Sequence, residues 1–211
     1  MVFNSVYHQT VFFDALPRFL RQFPEPQELS TVATVQAKSR VLHLGLDLQK
    51  YDRPEYRQVE QTAPNQHPLI LWNHRWEYDK NPEDFFQALF RLHEEGLDFR
   101  VVILGEHFRQ QYPIFETARD TLGDKIVHCG YVEDFSHYAQ WLHRADIIPI
   151  TSHQEFFGAS LVEALYCGCY PIVPTRLTYP ELLPYETYPD IFYRNFDELV
   201  QKLAGALLSF E

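Results

Sequence analysis

From about residue 67 the chain alternates short, nearly continuous apolar runs with longer amphipathic stretches. Leu69–Trp72, Phe99–Leu104, Ile126–His128, Ile147–Ile150, Tyr170–Val173 and Ile191–Tyr193 read as buried strands. Between them the apolar positions change to a helical period. Asn81-Pro82-Glu83-Asp84 is a helix start: a capping side chain, proline at the first helical position, then two acids that suit the positive end of the dipole. Phe85, Phe86, Leu89, Phe90 and Leu92 make the apolar stripe of that helix, and Gly96 closes it. Helices are also predicted over Tyr112–Leu122, Phe135–Arg144, Ala159–Tyr166 and Phe196–Leu208, with a short one starting at Glu181–Leu183. Strands that are apolar on both sides and separated by helices specify a parallel sheet covered on both faces, an α/β fold of Rossmann-like type. Ligands of such sheets bind at the carboxyl ends of the strands.

The first 66 residues follow a different pattern. Val2–Val6 predicts a strand. Val11, Phe12, Ala15, Leu16, Phe19 and Leu20 predict a helical stripe, bent or interrupted at Pro17. Phe23-Pro24-Glu25-Pro26 predicts a turn, and Val41–Leu48 a second apolar segment. Gln49–Gln66 is polar and holds two prolines, as a linker would. The expected division is therefore 1–66, the tail of another domain plus a linker, and 67–211, a sheet domain.

Composition narrows the function classes. The formal charge of −11 argues against a large nucleic-acid-binding face on this chain, because duplex affinity rests on phosphate neutralisation by Lys and Arg. It leaves room for a local basic pocket holding one diphosphate. Three cysteines, Cys129, Cys167 and Cys169, suggest free thiols and a reducing, cytoplasmic compartment. Cys167-Gly168-Cys169 is too tight for a zinc knuckle and has no partner pair, so no metal site is expected. No run approaches the roughly 18 apolar residues of a membrane span, and no signal peptide opens the chain.

The candidate chemistry lies in loops that follow strands. In Glu155-Phe156-Phe157-Gly158-Ala159-Ser160-Leu161-Val162-Glu163-Ala164, two glutamates flank a strand-to-helix turn at Gly158. A helix starting there aims unpartnered N–H groups and a positive dipole at the sheet edge, which suits a phosphate. Glu155 reaches over the same pocket, and Glu163, further along the helix, offers an acceptor for ribose hydroxyls. With 29 acidic residues in the chain such a pair arises easily by chance, so context decides. Arg75 and Lys80, in Asn73-His74-Arg75-Trp76-Glu77-Tyr78-Asp79-Lys80, follow the first strand of the sheet domain and could clamp a diphosphate, or could be solvated loop charges. That loop lacks the glycines of a dinucleotide fingerprint, which disfavours an NAD site. Gly105 after the second strand permits close backbone approach, and Gly130-Tyr131-Val132 after the third exposes backbone to a nucleobase edge. His74 and His153 lie beside these motifs and are more readily explained as polar loop residues. No Ser–His–Asp spacing supports a nucleophilic triad.

As a set, Arg75 and Lys80, Leu104-Gly105-Glu106, Gly130-Tyr131-Val132, Glu155…Glu163 around Phe157-Gly158, and Cys167–Val173 resemble the donor-binding, C-terminal lobe of the retaining GT-B glycosyltransferases of family 4, over about residues 67–205. Val41–Asp47 resembles their hinge, and Phe3-Asn4-Ser5 the last strand of the acceptor lobe, most of which is absent from this sequence. Trp72–Glu77, Asp79–Pro82, His153–Gly158 and Tyr166–Pro171 are similar to the tRNA-queuosine mannosyltransferase group.

The resemblance implies a hexosyl donor, GDP-mannose, and transfer to queuosine in tRNA, with the acceptor held by the missing lobe. It implies that Arg75 and Lys80 stabilise the leaving diphosphate with the N–H groups of Gly158, Ala159, Ser160 and Leu161, beside Phe157. Glu155 would orient the sugar, Glu163 hold the ribose, and Tyr131-Val132 contact the base, without a metal or other cofactor. The isolated chain is expected to be inactive without its N-terminal lobe. A non-catalytic nucleotide-sugar-binding module and a sugar-nucleotide epimerase of the same fold remain as alternatives.

Overall fold

The computed structural model describes residues 1–24, 28–57, 67–106 and 112–209. Among these, the strands are β1 (Val2–Phe3), β2 (Arg40–Val41), β3 (Leu69–Asn73), β4 (Arg100–Leu104), β5 (Ile126–Gly130), β6 (Ile147–Pro149), β7 (Tyr170–Pro174) and β8 (Phe192–Tyr193). The α-helices are α1 (Val6–Leu20), α2 (Leu29–Ala37), α3 (Pro54–Arg57), α4 (Pro82–Glu94), α5 (Pro113–Leu122), α6 (Phe135–Arg144), α7 (Ala159–Tyr166), α8 (Tyr179–Leu182) and α9 (Phe196–Leu208).

Strands β3 to β8 form one parallel sheet in the order β5-β4-β3-β6-β7-β8. All five residues of β3 are buried, as continuous apolar patterning requires of a sheet covered on both faces. One face is packed by α4, α5 and α9 through Phe85, Phe86, Leu89, Phe115, Leu199 and Leu203. The other carries the turn Gln49–Tyr51 with α3, α6 and α7 through Tyr51, Tyr56, Leu142, Leu161 and Ala164. The capping pattern at Asn81 is present: its side chain accepts from Asp84 N–H, and Pro82 opens α4. No helix of the described residues is long and apolar enough to cross a membrane.

The chain order reverses between β3 and β6. Successive strands run outward from β3 to one edge and from β6 to the other, so the loops after β3 and β6 flank a crevice. Strand β6 ends in Pro149. The Ile150 N–H bonds Ile172 O in β7, so by alternation the Pro149 nitrogen faces β3 without a proton to donate. Strands β3 and β6 are in register at Ile70 and Ile147, toward the other end of β3.

Three N-terminal expectations need correction. Val2–Val6 is not one strand: β1 stops at Phe3, Ser5 caps α1 through its hydroxyl, and Val6 is already helical. Pro17 does not interrupt α1, which continues to Leu20. Gln49–Arg57 is not a loose linker, because Tyr51 and Tyr56 are buried in the sheet domain. Polar neighbours hid those two rings. Residues 25–26 of the expected turn and 58–66 of the expected linker lie outside the described residues. The N-terminal segment also touches the sheet domain directly. The Glu181 carboxylate accepts from Val6 and Tyr7 N–H at 2.9 and 3.1 Å, and the His8 ring stacks on Phe156 at 4.1 Å.

Candidate functional site

The two crevice loops are stitched together by backbone and hydroxyl groups. The Thr151 hydroxyl lies 3.0 and 2.9 Å from the carbonyls of Lys80 and Asn81, and His153 N–H donates to Asp79 O at 2.7 Å. Arg176, which the sequence did not single out, donates to the carbonyls of Thr151 and Ser152 at 3.1 and 3.2 Å and fixes the start of the second loop.

This frame brings Lys80 and Glu155 together. The Lys80 ammonium is largely buried and donates to Gln154 O at 3.2 Å and Glu155 Oε2 at 3.3 Å, with Asp79 Oδ2 3.0 Å away. The other Glu155 oxygen accepts from the N–H groups of Phe156 and Phe157 at 3.0 and 3.2 Å. Burial pushes the Glu155 carboxyl upward, but Lys80 and those two N–H donors outweigh it and hold the group below its ordinary value. The carboxylate is therefore charged at neutral pH and held on both oxygens.

Gly158 caps α7 with φ of +93°, and a Cβ there would lie 3.1 Å from Leu182 Cδ1. The first-turn N–H groups of α7 have no carbonyl within the helix to bond, and they open onto the loop that carries Glu155. Further along α7, Glu163 accepts from the Tyr138 hydroxyl at 3.1 Å. Asn73, at the end of β3, donates to Ser160 O at 3.0 Å and lies 3.4 Å from Tyr138 Oη, tying the first strand to α6 and α7.

The other predicted residues are placed differently. Arg75 is exposed and pairs with Glu77 at 3.0 Å, at the rim and not in the Lys80–Glu155 cluster. Gly105 has φ of +117°, and a Cβ there would sit 2.0 Å from His74 O, so the close approach it permits is to the His74 backbone. Tyr131 is exposed and Val132 packs on the α6 side, after the edge strand β5.

His74 is the residue most at odds with its loop reading. It is buried, its Nδ1 lies 3.1 Å from Ser160 Oγ, and its Nε2 is buried without a partner. Burial, then the Lys80 charge, push its pKa down to about 4. The sequence signal was its position directly after a fully buried strand. Because the folded state refuses a proton that the unfolded chain accepts near the ordinary histidine value of 6.5, His74 contributes stability above that pH. The contribution is lost as pH falls toward 4. Stability of the wild type should rise with pH across this window more steeply than that of His74→Gln, measured by urea unfolding at several pH values. Equal slopes would remove His74 from the account.

Sequence and structural relatives agree with this frame. Residues 52–184 match the family described as glycosyl transferases group 1, and the chain belongs to that family. Residues 1–46 match the family described as tRNA-queuosine alpha-mannosyltransferase N-terminal. The tRNA-queuosine alpha-mannosyltransferase of Drosophila melanogaster is 34% identical over 206 residues, 96% of this chain and 53% of that protein, so this chain spans about half its length. Among solved structures, Anabaena Alr3699/HepE in complex with UDP-glucose superposes with a TM-score of 0.70 at 16% identity, covering 99% of this chain and 54% of the other. A glycosyltransferase from Rickettsia africae gives 0.69 at 18%, covering 99% and 53%. At such identities these two establish the fold alone, the helix-flanked parallel sheet of the GT-B enzymes.

Proposed function

We propose that the chain is the nucleotide-sugar half of a retaining, family 4 hexosyltransferase that takes mannose from GDP-mannose and delivers it to queuosine in tRNA. The observation that carries the reading is the Lys80–Glu155 pair, held in the crevice just before the free N–H groups of α7, with Glu163 further along the same helix. A diphosphate at that helix end would meet the ammonium of Lys80 and the α7 dipole, with Arg75 reaching in from the rim. These groups would take up the charge that develops on the leaving diphosphate, the electrostatic contribution to such a transfer. Glu155 would accept from hexose hydroxyls, Glu163 from ribose hydroxyls, and the backbone around Tyr131 and Val132 would meet the base. The site needs no metal in this reading. Mannose and tRNA are supported by the N-terminal match over residues 1–46 and by the Drosophila relative. The acceptor would be held mainly by chain beyond this sequence, consistent with the net charge of −11 here. A cytoplasmic setting is supported by the three free cysteines.

Calorimetric titration of the chain with GDP-mannose, GDP, UDP-glucose and UDP-GlcNAc tests this. GDP-mannose should bind best, and Arg75→Ala and Glu163→Gln should each weaken it roughly tenfold, the cost of one charge-assisted contact. A UDP-sugar preference would overturn the mannose and tRNA assignment while leaving a hexosyl donor site. No binding by this chain or by the protein carrying both lobes would overturn the site itself.

A further inference from the structure

Glu163 receives a partner from outside the sheet domain proper. Lys50, in the short 3-10 turn Gln49–Tyr51 before α3, places its ammonium 3.7 Å from Glu163 Oε1, while Tyr138 occupies Oε2. The lysine is held there by two rings, with its nitrogen 5.0 Å from the centroid of Tyr51 and 4.9 Å from that of Phe135. Tyr51 itself is fully buried, which fixes the turn against the domain. Tyr138 is fixed in turn, since Asn73 Nδ2 lies 3.4 Å from its hydroxyl. The Glu163 carboxylate therefore sits between a positioned hydroxyl and a positioned ammonium, at the carboxyl ends of the strands.

We infer that Lys50 and Glu163 form a two-charge clamp that reads the ribose cis-diol, with Lys50 as a second specificity residue of the nucleotide site. The inference rests on the reading of Glu163 as the ribose acceptor. Its chemical basis is complementarity. Each ribose hydroxyl has one proton to give and lone pairs to offer, a carboxylate can only accept, and an ammonium can only donate. Glu163 alone would take the protons and leave the hydroxyl oxygens unread. An ammonium 3.7 Å away supplies the missing donor, and the diol would settle between the two charges. A sugar without the hydroxyls would cover the pair while offering neither charge a partner, so it would forgo the donor and the acceptor contact together. Because Lys50 lies on the segment that leads from the N-terminal residues into the sheet domain, the clamp also makes ribose contact depend on how that segment docks.

The test compares GDP with 2′,3′-dideoxy-GDP on the chain and on Lys50→Met, which keeps a flexible apolar stem over the two rings and removes the charge. The wild type should prefer GDP. Lys50→Met should bind GDP roughly fivefold more weakly, the scale of a half-exposed charge contact, and bind the dideoxy ligand within about twofold of wild type. Lys50→Arg should recover most of the GDP affinity, and circular dichroism should show Lys50→Met folded. Equal losses for both ligands, or no loss for GDP, would overturn the clamp. If neither this chain nor the protein carrying both lobes bound either ligand, the donor-site reading would fall first and the clamp with it.

Discussion

Lys80→Met should cost the protein both its fold stability and its ligand. The substitution keeps the apolar stem but leaves the carboxylates of Asp79 and Glu155 facing each other without the ammonium that separates them. Removing one partner of a largely buried ion pair costs about 3 kcal/mol, because the remaining charge keeps its desolvation penalty. At about 2–4 °C per kcal/mol for a chain of this size, the melting temperature should fall by roughly 10 °C. Affinity for a nucleoside diphosphate should fall by about a hundredfold, as expected when a buried charged contact is truncated. The double variant Lys80→Met with Glu155→Gln separates the two effects. It removes the stranded Glu155 charge, so thermal stability should partly return, while binding should not. Recovery of both would mean that Lys80 acts only on the fold. A melting temperature unchanged in the single variant would mean that the pair is far more hydrated than its burial implies.

The sheet domain was legible because its strands and helices carry strong local signals. The four apolar residues Leu69–Trp72 and the Asn81-Pro82 start each determine one element without help from distant chain. The N-terminal stretch was harder because its signals conflict. Ser5 is a good cap, yet the apolar residues on either side of it also read as a strand, and the cap prevails because its hydroxyl accepts from His8 N–H. Tyr51 and Tyr56 were lost among polar neighbours, since burial of a lone ring depends on tertiary contacts that no period records. The same limit applies to the site. Lys80 and Glu155 could each be picked out as candidates, but their pairing is made by loops 75 residues apart in the chain. Tyr138 and Lys50 escaped notice because no motif marks them, and Asn73 stood in a motif that gave it no role. Their roles come from where β3, α6 and the turn at Gln49–Tyr51 converge on Glu163. Arg75 carried a motif and sits at the rim, so motif membership did not predict convergence.

Gly105→Ala should be the most damaging of the glycine-to-alanine changes. The added Cβ would stand 2.0 Å from His74 O and 2.8 Å from His74 C, and both are backbone atoms that cannot rotate away. The φ of +117° adds strain for any L residue. Overpacking and backbone strain of this kind each cost about 1–3 kcal/mol, so a combined loss near 4 kcal/mol is expected. Gly96→Ala provides the control, because Gly96 also has a positive φ, +78°, but open space where its Cβ would point. It should lose only about 1–2 kcal/mol, the backbone term alone. The difference between the two in urea unfolding therefore measures the clash together with the added strain of the wider φ at Gly105. The damage should also reach the ligand site, since the displaced carbonyl belongs to the loop that runs from His74 to Lys80. Donor affinity measured on whatever fraction of Gly105→Ala remains folded should fall, while Gly96→Ala should bind as wild type does. If Gly105→Ala were as stable as Gly96→Ala, the His74 loop would have to move by more than an ångström without penalty, and the floor of the site would not be tightly packed.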